Sequence, residues 1–222
     1  MTIRPGTPTA PFGPADPLLD HLVYAAPDLA AAQAAFAAAT GLTPAPGGRH
    51  LGRGTRNLLV GLGPTAYLEI IGPDDEHPAD PGAAVPFGVD ALTAPRLVTW
   101  AARPDDIAAA AAASAAAGAD LGPVAPMSRR TADGDLLEWR LAAPHPPPFD
   151  GVTPFLIDWG ATAHPAASGL PAAALRGLRA THPDPEAVGA VLGALGLRLD
   201  VAAGPPGLAA LLGTPRGPVV LA

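Results

Sequence analysis

The stretch Leu18–Gly72, LLDHLVYAAPDLAAAQAAFAAATGLTPAPGGRHLGRGTRNLLVGLGPTAYLEIIG, contains one complete structural unit. LLDHLVYAA (18–26) reads as a strand. Alternation puts His21, Val23 and Ala25 on one face and Asp20, Leu22 and Tyr24 on the other. Pro27-Asp28 then opens a helix, because proline suits the first helical turn. Within LAAAQAAFAAAT, Leu29, Ala32, Phe36 and Ala39 recur at helical spacing, and Gly41 supplies a C-terminal cap. GGRHLGRG (47–54) is a turn-rich loop with one short strand. RNLLVGLG (56–63) and TAYLEIIG (65–72) read as a hairpin turning near Gly63-Pro64. The unit is strand, helix, three strands, with His21 on its first strand and Glu69 on its last.

Outward from this unit the pattern recurs. RLVTWAAR (96–103) is a strand. A helix starts at Pro104-Asp105-Asp106, runs to Ala117 and ends at Gly118. ADLGPVAPMSRR, DGDLLEWRLAAP (133–144) and TPFLIDWG (153–160) supply further strands. A third copy opens with LRGLRATH (175–182), continues with a helix introduced by Pro183-Asp184, and closes with LRLDVAAG, GLAALLGTP and GPVVLA. A repeat of about 75–80 residues is too long for a solenoid and points to duplicated βαβββ modules. The expected organisation is a flexible arm (1–17), a first module (18–72), a polar Pro/Gly-rich connector (73–95), a second module (96–165) and a partial third (166–222).

Composition narrows the function classes. With 222 residues the chain fits one large domain or two small fused ones. All 13 basic residues are arginine, which together with the Ala, Gly and Pro load reflects the codon bias of a high-GC genome. The net charge of −7 argues against a nucleic-acid partner. The absence of cysteine excludes disulfides, thiolate nucleophiles and Cys-based metal sites. The N-terminus lacks a signal-type apolar core and no stretch has the length of a spanning helix, so the expectation is a soluble cytoplasmic protein without a membrane partner. GRGTRN lacks GxGxxG spacing, and there is neither a P-loop lysine nor a GxSxG elbow, so no nucleotide cofactor is expected.

The repeated order of elements, with DHLVYAAPDL, GGRHLGRGTRNLLVGLG, YLEIIGPD, RRTADGDLLEWRL and PFLIDWG, resembles the glyoxalase-like branch of the vicinal oxygen chelate superfamily over roughly residues 18–165. The resemblance implies an α+β fold, in which paired βαβββ modules form a cup-shaped mixed sheet of the glyoxalase/bleomycin-resistance/dihydroxybiphenyl-dioxygenase type. It also implies a divalent metal in the cup, held by His, Glu or Gln side chains. By that resemblance His21 and Glu69 match the metal positions of the first module. Asp158 is the one residue of the second module suited to join them, since its register otherwise offers Val98, Thr99, Trp100, Ile157 and Trp159.

Imidazole and carboxylate suit Zn, Mn, Ni or Fe without selecting among them. A glutamate between Leu68 and Ile70 is costly to bury unless paired or metal-bound. His50, with Arg49, Arg53 and Arg56 around it, could hold a substrate carboxylate or phosphate, or form a solvated loop pairing with the acidic 74–80 segment. Thr55 and Asn57 alternate along the next strand and could point into the cup. Trp100 and Trp159, like Trp139, could line a ligand cavity or anchor the core. His77, His145 and His182 read as surface or cap residues. His164 reads as an exposed loop residue, with a catalytic-base role as the alternative.

Two functions from different classes follow. One is a metal-dependent lyase or isomerase for a small anionic oxygenated substrate, with His21 and Glu69 catalytic. The other is a non-catalytic binder of an antibiotic or metabolite using the same cup without metal. A third, an oxygenase, requires His21, His50 and Glu69 to converge. The unpaired third module either packs outside the main sheet or mediates a homodimer.

Overall fold

The computed structural model describes residues 3–6, 11–131 and 133–222. Strand β1 (Ile3–Pro5) is followed by β2 (Leu19–Ala25), helix α1 (Leu29–Thr40), and strands β3 (Ala45–His50), β4 (Thr55–Gly61) and β5 (Tyr67–Pro73). The second module repeats this as β6 (Arg96–Ala102), α2 (Ile107–Ala116), β7 (Ala125–Arg130), β8 (Leu136–Ala142) and β9 (Phe155–Asp158). The third is β10 (Ala174–His182), α3 (Pro185–Ala194), β11 (Asp200–Ala203), β12 (Gly207–Thr214) and β13 (Gly217–Leu221). The helices begin where the Pro-Asp signals place them. Asp28, Asp106 and Asp184 each accept from a backbone N–H of their first turn, satisfying donors that a helix start otherwise leaves open. Gly41 ends α1 in the left-handed region at φ 77°.

The first two modules form one closed eight-stranded barrel in the order β2-β5-β4-β3-β7-β8-β9-β6. Within each, the first and last strands lie parallel, β2 beside β5 and β6 beside β9. The modules join antiparallel through β2 and β6 and again through β3 and β7, where Arg49 pairs with Arg130 and His50 with Arg129. Gly48 permits that second junction. Its φ is 142°, and a Cβ there would lie 2.0 Å from the Arg130 carbonyl oxygen. Gly47 and Gly48 are therefore strand residues that let backbones and side chains approach, not the turn expected from sequence.

Alternation divides each barrel strand between two apolar clusters. Val23, Ala25, Tyr67, Ile71, Phe155, Ile157 and Trp159 belong to the cluster inside the barrel. Leu22, Tyr24, Leu68, Ile70, Trp100 and Leu156 belong to the outer one, with Phe36 of α1 and Ile107 of α2.

The third unit covers that outer face. Leu178, Ala180, Leu208, Leu212 and Leu221 join the same outer cluster, and β12 lies against β6 while α3 lies against α2. Of the two arrangements expected for this unit, the chain adopts packing on its own barrel. The third unit repeats the element order but not the connection. β10 runs parallel to β11, the strand just after its helix, and antiparallel to β12. In the barrel modules the parallel partner is instead the last strand.

Two further expectations are corrected. The segment 1–17 is not wholly a loose arm: β1 pairs antiparallel with β13, and Phe12 lies under the Arg179 guanidinium at 4.5 Å. The connector 73–95 is not only a boundary. Its 3-10 turn Pro86–Ala91 contributes Phe87 to the cavity wall, with Val85 and Leu92 from either side of the turn. Among the described residues no helix is long and apolar enough to cross a membrane.

Candidate functional site

The barrel encloses a cavity of about 420 Å³, within the range of small-molecule sites. Its polar residues gather on the first-module side. Glu69 comes from β5, and His21 from the parallel strand β2. His50 ends β3, and Asn57 lies on β4. Pairing of Val23 with Glu69 and of Leu59 with Glu69 sets these strands on either side of the carboxylate. Glu69 is 5% exposed, His21 3% and His50 7%.

The His21 Nε2 lies 3.8 Å from Glu69 Oε2, and the His50 Nε2 lies 3.6 Å from Glu69 Oε1. The Asn57 amide donates to Glu69 Oε1 at 2.5 Å. Each histidine is held by its other nitrogen, His21 Nδ1 against Asp20 Oδ1 at 2.7 Å and His50 Nδ1 against Thr55 Oγ1 at 3.0 Å. Both Nε2 atoms thus turn toward one carboxylate while the Nδ1 atoms fix the rings, an arrangement suited to metal ligation. Burial pushes the His50 imidazole down to about 4, against the opposing pull of Glu69, so its ring is neutral at pH 7 and has a lone pair to offer.

Among the described residues, the only three ligand atoms within 4.8 Å of one another belong to Asp74, Glu76 and His77 on the outer rim. His21 and His50 reach different oxygens of Glu69. The donor chemistry of His21, His50 and Glu69 fits a divalent ion.

Alternation alone puts Asp20 on the face opposite His21, and the structure overturns that. Leu19 pairs with Ala102 and His21 with Ala101, so two residues oppose one at a bulge, which re-aims the side chain. The Asp20 carboxylate is fully buried. It also accepts from Trp159 Nε1 at 3.1 Å and faces His164 Nε2 at 3.0 Å and Arg103 Nη1 at 3.3 Å. Burial alone would raise its pKa, but the hydrogen bonds from His164 and His21 outweigh that and hold it well below the usual carboxylate range. His164 is therefore a partner of the site rather than an exposed loop residue.

The other sequence-derived site residues divide. Arg53, Asn57 and Trp159 line the cavity. Arg49 borders a shallow hollow outside it with Glu76 and Asp80, and Arg56 is exposed; neither lines the cavity. Trp100 faces outward, fully buried in the outer core, and donates to the Val152 carbonyl at 2.8 Å. Asp158 is corrected as a metal ligand. It alternates with the inward Ile157 and Trp159, and pairs with Arg140 on the outside.

Sequence reading left Arg129 and Tyr67 out of the site and weighed Trp139 between cavity and core, although all three line the cavity. Arg129 and Arg130 are neighbours on one strand, so alternation required one of the two to face inward. Tyr67 stacks on His21 with centroids 4.6 Å apart, and its burial pushes the phenol pKa well up. Apart from Arg129 and the threonines Thr99 and Thr153, the second-module wall is largely apolar, with Met127, Leu141, Phe155 and Ile157, closed by Phe87 against Phe155.

A model of the glyoxalase-like domain family matches residues 19–196. A search of curated proteins finds no match. Among solved structures, a hypothetical protein from Staphylococcus aureus is similar with a TM-score of 0.61 at 15% identity, covering 84% of this chain and 86% of that one. A Streptomyces coelicolor methylmalonyl-CoA epimerase in complex with 2-nitronate-propionyl-CoA is similar at 21% identity. Its TM-score is 0.42, over 66% of this chain and 97% of that one. The Mycobacterium tuberculosis methylmalonyl-CoA epimerase gives 19% identity, a TM-score of 0.39, and coverage of 68% and 94%.

Proposed function

The chain belongs to the glyoxalase-like domain family of the vicinal oxygen chelate superfamily, and from that premise we propose that it is a metal-dependent lyase or isomerase acting on a small oxygenated substrate inside the barrel. One observation carries this reading: two imidazole Nε2 atoms, 3.6 and 3.8 Å away, flank the buried carboxylate of Glu69, and both rings are fixed from behind. His21, His50 and Glu69 would hold the divalent ion, which supplies Lewis-acid polarisation of a carbonyl oxygen.

The remaining work falls to side chains. Asn57 ties down Glu69 Oε1, leaving Oε2 to take a proton from the carbon beside the substrate carbonyl. The C–H electron pair moves into the new C=C bond and the carbonyl π pair moves to oxygen. The electron pair on oxygen then re-forms the carbonyl, and return of the proton to the other face of the same carbon completes an isomerisation. The turn 86–91 and the apolar wall keep water from the reacting carbon.

The test is metal content of the purified, untagged protein beside His21→Ala, His50→Ala and Glu69→Ala, before and after loading with Zn, Mn, Ni and Fe(II). About one ion per chain, lost in the variants, supports the reading and justifies screening lyase and isomerase substrates. Uptake confined to Fe(II) would favour an oxygenase, whose donor set is two histidines and one carboxylate. No uptake of any ion overturns the metal enzyme and favours a ligand-binding protein. That second reading has its own support: Thr99 and Ile157, on the second-module wall, add no metal ligand.

A further inference from the structure

We propose that Arg129 is the anion receptor of the cavity, and that the ligand is a monocarboxylate with an apolar body of aromatic size. This rests on the reading of the barrel as a small-molecule site, and it replaces the arginines expected around His50.

Arg129 is 4% exposed. Among the described residues its side chain makes one hydrogen bond, a long one of 3.4 Å from Nη1 to Asn57 Oδ1, and no ion pair. Burial lowers its pKa, with Tyr67 and Glu69 opposing. A guanidinium removed from water without a carboxylate partner is costly, and its fork is shaped to take a carboxylate bidentately. The same wall carries a second unmet donor: the indole N–H of Trp139 is buried with no acceptor. Two unsatisfied donors on neighbouring strands β7 and β8, both lining one cavity, define a place for an anion.

Register fixes what lies beside that place. Arg129 is the cross-strand partner of His50, so a bound carboxylate sits next to the His50–Glu69 cluster. Two residues along β7, Met127 pairs with Trp139 and continues the wall into the apolar part of the cavity. Arg53 and Arg96 also border the cavity but keep contact with solvent, whereas Arg129 is buried; one buried guanidinium matches a singly charged head, and Met127, Trp139, Leu141, Phe155 and Ile157 match an apolar body.

The test is calorimetric titration of the full-length protein, stripped of metal with a chelator, using 3-phenylpropanoate, 3-phenylpropanamide and acetate. The wild type should bind the phenyl acid at least about tenfold tighter than its amide, as charged hydrogen bonds require, and tighter than acetate. Arg129→Gln should abolish the preference of acid over amide and leave amide binding in place. Equal binding of acid and amide by the wild type overturns the proposal whether or not the variant folds, as does a preference that survives in a folded Arg129→Gln. Acetate binding as tightly as the phenyl acid overturns the apolar body. Because no metal is present, the outcome is separate from the metal test. Acid preference without metal uptake removes only the lyase reading, and metal uptake without acid preference removes only this one.

Discussion

The Asp20 carboxylate meets the imidazole of His21, its own neighbour in sequence, at 2.7 Å on the inner side of β2. Regular pleating would send these side chains to opposite faces, and the bulge at Asp20 brings them together. Asp20 therefore joins His21 to Trp159, His164 and Arg103. Asp20→Asn should weaken metal binding by about 10–100-fold, the usual consequence of losing the partner behind a metal-binding histidine. Competition with a chelator measures it, and unchanged affinity would remove Asp20 from the site. Asp20→Ala strands four donors at once and should lower stability by about 3–5 kcal/mol, read from urea unfolding.

His50 gives the metal-free protein a pH dependence of predictable sign. Its folded pKa of about 4 lies below the unfolded value near 6.5, so the unfolded chain takes up the proton first. Stability is unaffected above that value and falls as pH drops from about 6.5 to 4, by roughly 3 kcal/mol. His50→Gln should lose this component. Urea midpoints at pH 7, 5.5 and 4.5 for both proteins measure it, and parallel curves would count against a buried neutral His50.

Trp100 and Trp159 should respond in opposite ways. Trp100 packs outside the barrel, so Trp100→Phe should cost about 1–2 kcal/mol through the hydrogen bond to Val152 and the volume lost, with ligand binding unchanged. Trp159 lines the cavity and donates to Asp20, so Trp159→Phe should change ligand affinity as well. Calorimetry and thermal unfolding on both variants separate the roles, and altered ligand binding in Trp100→Phe would contradict the outward placement.

Gly47 makes room for the chain from Arg129 through Asn57 to Glu69. A Cβ at that position would lie 2.2 Å from Asn57 Oδ1 and 2.8 Å from Arg129 Nη1. Gly47→Ala should displace both side chains, release Glu69 Oε1 and weaken metal binding about tenfold or more, by the logic of a lost supporting contact, while the fold survives. Retained affinity would show that Asn57 does not position Glu69.

The third unit should be inseparable from the barrel. Leu212 is fully buried in the cluster that also holds Trp100 and Leu22. Leu212→Ala should destabilise the whole chain by about 2–5 kcal/mol in a single transition. Two transitions, with barrel unfolding unchanged, would mean that the third unit folds apart.

Much of the fold was legible because its signals are local. Pro-Asp before each helix, glycine after α1, and alternation in YLEII act within a few residues and gave the modules and the inward Glu69. His21 and Asn57 could be read the same way. Asp158 and Trp100 were misassigned because matching the two modules by their Pro-Asp starts does not fix which residues face inward. Thr99 and Ile157 face the cavity in their place. Asp20 was missed because a bulge depends on the partner strand.

By itself, the sequence determined the order of strands and helix within each module, the helix starts, the lack of thiol chemistry, and the pair His21 and Glu69, since these rest on residue chemistry and short-range periodicity. Only the tertiary structure decided that the two modules close into a barrel, because that depends on glycines at 47 and 48 meeting the backbone and side chains of β7. It also decided that the third unit covers the outer face, because burial of Leu22 and Trp100 needs an apolar surface supplied from more than 70 residues away. And it buried Arg129 in the cavity wall, while of the arginines beside His50 only Arg53 reaches the cavity, because strand register across the β3–β7 junction sets which guanidinium is removed from water.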